Sequence, residues 1–146
     1  MNPVTEITEA LETRTELVTS FSKLPYVYDV SKNDWKRSQD GYGVRSLVAQ
    51  ESPGATKRLT YVQSFEVVLS KGYIQSSVDD LSLQSAVKEA SDLLHSVFID
   101  LEQTRVGIPN TVLNITNFSL QEPIIYEDQK VVVLTAEIDV LYRLTV

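Results

Sequence analysis

The 146 residues contain no cysteine, which excludes disulfides, thiol catalysis and cysteine-ligated zinc. They contain one histidine, His95, which cannot by itself build the His-rich sets that most catalytic zinc centres use. Positive charge is also scarce. Thirteen Lys and Arg stand against twenty Asp and Glu, for a net charge of −7 and a pI near 4.7. A duplex-binding domain normally presents a basic face, so this balance argues against nucleic acid as the main partner. Long apolar runs are missing, and nothing approaches the roughly 18 residues of a membrane helix. The opening MNPVTEITEALE has neither a basic start nor an apolar run. The sequence therefore predicts no signal peptide, no membrane association and a soluble, cytoplasmic protein. On that view Asn114-Ile115-Thr116 and Asn117-Phe118-Ser119 are chance glycosylation matches in a strand. The motifs of common reactions are absent too: no G-x-S-x-G, P-loop, G-x-G-x-x-G, H-E-x-x-H or EF-hand loop occurs. No catalytic residue, cofactor or metal ligand is predicted.

What is present suits one globular domain spanning 1–146. Hydrophobic residues make up 42% and charged residues 23%. A chain of this length should bury about two-thirds of its unfolded surface. Asn2 and Pro3 open an amphipathic helix with Ile7, Ala10, Leu11, Leu17, Val18 and Phe21 on one face, closing near Lys23 and Pro25. Tyr26–Val30 reads as a short strand, Asp40-Gly41-Tyr42-Gly43 as a turn and Val44–Gln50 as a second strand. After the Ser52-Pro53-Gly54 turn, residues 57–70 alternate, with Tyr61, Phe65, Val67 and Leu69 against Ser64, Glu66 and Ser70. The intervening hairpin loop is about seven residues, longer than a plain connector. Asp79 or Asp80 caps a second helix, striped by Leu83, Ala86, Val87, Ala90, Leu94, Val97, Phe98 and Leu101 and closed by Gly107 and Pro109. Strands follow over 111–120 and 131–146, with 124–127 a further candidate between them. The order α-β-β-β-α-β-β predicts an α+β fold, an antiparallel or mixed sheet with two helices on one face.

Charge is distributed unevenly along the chain. Residues 1–22 carry four acidic and one basic residue, 23–71 eight basic and five acidic, and 72–146 four basic and eleven acidic. Opposite signs in successive segments suit head-to-tail association, although folding could equally mix them. Glu137 and Asp139 point the same way from the last strand, as a paired-carboxylate centre or simply a solvated face. His95, at the edge of the second helix's stripe, is expected to be structural or superficial. Seven tyrosines are spread over strands and loops, as interface or core residues. Trp35, set in Asn33-Asp34-Trp35-Lys36-Arg37, is either an exposed interface anchor or a side chain that closes the end of the sheet.

The acidic first helix, the strand RLTYVQSFEVVLS after a long hairpin loop, the aliphatic second helix and the closing VVVLTAEIDVLYRLTV together resemble the tail terminator proteins of long-tailed bacteriophages. More loosely, they resemble the neighbouring tail-completion proteins. The resemblance covers nearly the whole chain, in element order and polarity. It implies a structural virion protein of the neck, assembled in the host cytoplasm as a homo-oligomeric ring, expected to be a hexamer. Such a ring caps the tail tube protein, ends tube polymerisation and meets the head-completion, or connector, protein. DNA passes through its lumen without specific binding, and Glu137 and Asp139 would suit such a lining. Trp35, Lys36, Arg37, Lys57 and Arg58 are the residues expected at its protein interfaces. Another neck protein, a small adaptor domain and an enzyme are the competing readings.

Overall fold

The computed structural model describes residues 3–36, 39–51, 60–74 and 81–143, with the backbone alone at 48–51 and 81. The elements are α1 (Pro3–Thr19), β1 (Ser22–Lys23), β2 (Gly41–Glu51), β3 (Thr60–Gly72), α2 (Leu81–Thr104), β4 (Val112–Leu120), β5 (Ile124–Tyr126) and β6 (Val131–Arg143). Single 3-10 turns lie at Val30–Lys32 and Arg105–Gly107. The strands form one sheet in the order β1-β2-β3-β6-β4, and β5 pairs β6 alongside β4. The β1–β2 pair is parallel and every other pair antiparallel, so the sheet is mixed. The expected α+β class, mixed sheet and pair of covering helices hold, and the element order is broadly the expected one, with β1 at Ser22–Lys23 and three strands after α2.

Alternation along β3 and β6 decides which face meets the helices. Phe65 pairs with Ile138, Val67 with Ala136 and Leu69 with Leu134. All six are buried with Ile7 and Leu11 of α1 and Ala90, Leu94, Val97 and Leu101 of α2. Both helices thus cover one face, as a sheet with one apolar face requires. Arg14 ties them together, with Nε and Nη2 donating to the two carboxylate oxygens of Asp100 at 2.9 and 2.6 Å. Thr15 and Thr19 are buried on α1 without cost, since each hydroxyl donates to the carbonyl four residues back.

Several local expectations need correction. Helix α1 stops at Thr19, before Phe21, because Ser20 turns left-handed at φ 60°. Leu17, expected on the buried face, is exposed. Asp40–Gly43 is not an isolated turn, since Gly41 already begins β2. Tyr26–Val30 is not a strand. Its backbone makes no strand ladder: the Asn33 amide accepts from Tyr26 N–H and donates to the Tyr26 carbonyl, Arg45 Nη1 donates to the Val27 carbonyl at 2.7 Å, and the Asp29 and Val30 carbonyls accept from Lys32 and Asn33 N–H in a tight turn. This irregular segment packs on the second face of the sheet. Leu24 and Trp35 join Val68, Val131 and Val133 there in a smaller core. The close approach needs glycine opposite. A Cβ at Gly41 would meet Leu24 Cδ2 at 2.5 Å, and one at Gly43 would meet Val27 Cγ2 at 2.6 Å. The Asn2, Asp79 and Asp80 caps, the 52–54 turn and the Leu144 end of the last strand lie outside the described residues.

Candidate interaction surfaces

Beyond that smaller core, the second face of the sheet carries polar side chains in register. Arg45, Glu66, Glu137 and Ser119 are successive cross-strand neighbours, and Ser64, Asp139 and Thr116 form the next row. Glu66 is buried. Its two oxygens accept from Arg45 Nε at 2.7 Å and from the Gln121 amide. Asp139 is equally engaged, accepting from Ser64 Oγ and Asn117 Nδ2, both at 2.6 Å. Glu137 and Asp139 do share a face, as expected. Yet both oxygens of Asp139 already hold donors, which makes it a pin between β3, β6 and β4, poorly suited to taking up a substrate proton. Among the described residues no group of three or more His, Asp or Glu could hold a metal. No helix among them is long and apolar enough to cross a membrane.

His95 lies exposed on α2, with Nδ1 2.8 Å from the Ser91 carbonyl oxygen and its ring 4.9 Å from that of Phe118. This is a structural arrangement. The most engaged tyrosines are Tyr42, Tyr126 and Tyr142. Each is pushed above the ordinary phenol range mainly by burial, with nearby charge adding: Glu16 and Glu12 for Tyr42, Asp29 for Tyr126, and Tyr61 for Tyr142.

Of the five interface residues expected from sequence, Arg37, Lys57 and Arg58 lie outside the described residues. Lys36 is exposed. Trp35 is not an exposed anchor. It is 5% accessible, with its ring 5.4 Å from that of Tyr126. The polar neighbours Asp34 and Lys36 point the chain at water while the indole turns inward. Ser31, Asn33, Asp34, Lys36, Tyr126 and Gln129 surround it in an open cleft. The indole instead belongs to the smaller core on the second face, with Leu24, Val68, Val131 and Val133.

Exposed apolar side chains lie elsewhere. Of the nine large ones among the described residues, Tyr26, Tyr28 and Leu47 lie along β2, and Leu120, Ile124 and Ile125 lie on or beside β4 and β5. Six of nine therefore flank the two lateral edges of one sheet. The other three, Leu17, Ile74 and Ile99, are scattered over helices and a connection. The chain matches no protein-family model and no curated protein sequence. Sequence reasoning missed these edge residues, although Ile124-Ile125 beside Pro123, in so short a strand, was an available signal.

Proposed function

We propose that this chain is a structural virion protein of the tail terminator type. Copies of it close into a ring, expected to be a hexamer, that caps the tail tube, ends its polymerisation and joins it to the head-completion protein. The observation that carries this reading is the placement of exposed apolar groups on both lateral edges of one sheet. Two different edges on one subunit suit a heterologous contact, in which one edge of a copy meets the other edge of the next, and such contacts make rings when the rotation closes. The uneven charge supports the same contact. The β2 edge belongs to a segment with eight basic and five acidic residues, and the β4–β5 edge to one with four basic and eleven acidic. Carboxylates on the second face, Glu137 and Asp139, would keep passing DNA from adhering if that face lines the lumen. The protein acts by assembly and not by a reaction.

The test is native mass together with negative-stain imaging, on the protein alone and mixed with tail tubes. A ring at tube ends, with tubes no longer lengthening, is expected. A subunit that stays single and leaves tube growth unchanged sinks the reading.

A further inference from the structure

The β2 edge has an unusual occupant. After β1 pairs Gly41 and Tyr42, the chain follows β2 without a strand ladder and ends its contact at Ser46. There the hydroxyl of Tyr28 takes the place of a neighbouring backbone. It accepts from Ser46 N–H at 3.2 Å and lies 3.4 Å from the Ser46 carbonyl oxygen and 3.3 Å from its Oγ. These are long contacts for a hydroxyl, hence weak ones, and Tyr28 is 72% exposed. From Ser46 to Glu51 no described strand lies on that side of β2.

The opposite edge matches it in level and direction. β2, β3, β6 and β4 alternate in direction, so β2 and β4 run oppositely and would pair antiparallel when two copies stand side by side in the same orientation. Beyond its irregularity at Ser46/Ala49, β2 is regular over Ala49–Glu51, and between its two irregularities β4 is regular over Asn114–Thr116. The two stretches lie at the same height. Gln50, Val62, Leu141 and Asn114 form one continuous row across the sheet, and Ala49, Gln63, Val140 and Ile115 form the next. Joining edges that are level is compatible with a rotation without a rise, as a closed ring requires, whereas edges at different heights favour a helix.

We propose that β2 from Ser46 to Glu51 accepts the β4 edge of a second copy of this chain, and that Tyr28 is a placeholder displaced when it docks. This rests on the ring reading and names its contact. Because the regular stretches are short, each contact is weak by itself. Tyr28 keeps the lone subunit from pairing at random.

Three substitutions test it, with assembly followed by native mass over a concentration series and on tail tubes. Tyr28→Phe removes only the hydroxyl, and should lower the concentration for half-assembly about three- to tenfold, the worth of one weak hydrogen bond. Ser46→Pro removes the outward N–H at an edge position that tolerates proline, and should abolish assembly with the circular dichroism unchanged. Leu47→Lys, a charge on the same edge, should act likewise if the proline variant fails to fold. Because the chain has no cysteine, an equal mixture of Gln50→Cys and Asn114→Cys subunits should give a crosslink between unlike copies. Rings that persist in both Ser46→Pro and Leu47→Lys, or crosslinks only between like copies, overturn the proposed contact and leave the ring reading standing. A wild type and Tyr28→Phe that both stay single, even on tubes, overturn both.

Discussion

At the scale of single residues, Trp35 makes the most direct prediction. Its burial against Tyr126, Val131 and Val133 predicts a blue-shifted emission that moves to the red on unfolding. Trp35→Ala should cost about 3–5 kcal/mol, as expected for a buried aromatic, and should lower the denaturation midpoint accordingly. An emission already at the position of free indole would contradict the packing. Tyrosine ionisation gives a second test. Tyr42, Tyr126 and Tyr142 all ionise above the ordinary value near 10 because burial and neighbouring charge disfavour the phenolate. The fold prefers the neutral phenol, so their contribution is intact below about pH 10 and lost as pH rises through the raised values. Tyrosinate absorbance should therefore rise together with loss of the circular dichroism signal. A smooth, ordinary titration in a protein that stays folded would refute this.

Among the elements, the junction of α1 with α2 depends on the bidentate Arg14–Asp100 pair. The two side chains are 28% and 20% exposed, so solvent screens part of the attraction. Asp100→Asn should cost about 1 kcal/mol, read as a small drop in melting temperature that added salt narrows. Gly43→Ala should cost more. Its methyl would fall 2.6 Å from Val27 Cγ2, and relief requires lifting the segment that carries Tyr28 and Trp35. The accompanying change in Trp35 emission distinguishes this displacement from a general loss of stability. These elements also show how far the sequence could be read. Periodicity revealed α2, β3 and β6, because one face of each meets a single continuous core. It failed at Tyr26–Val30, where the apolar residues look like a strand but the hydrogen bonds come from Asn33 and Arg45 side chains. It pointed both ways at Trp35, whose polar neighbours suggest exposure while Tyr126, Val131 and Val133, which help to bury it, come from a distant part of the chain. The sheet edges were beyond its reach. Being an edge is a property of strand order, and nothing in the composition of β2 or β4 states that order.

For the whole molecule, the contact proposed between Ala49–Glu51 and Asn114–Thr116 would set how copies assemble. An open row of copies has one contact fewer than it has subunits. Closing the row adds the missing contact between ends that are already tethered, at a high effective concentration and without a further loss of translational freedom. When each contact is weak, open rows fall apart faster than they grow, and the closed ring is the only oligomer that persists. Native mass across a concentration series should therefore show single subunits and one closed species, with little in between. On the proposed terminator reading, tail tubes should lower the concentration at which the closed species forms, by holding several subunits together before the last contact is made. A ladder of dimers, trimers and longer rows would mean that the contact is strong by itself or joins edges at different heights, and the level rows across this sheet would then have no bearing on assembly.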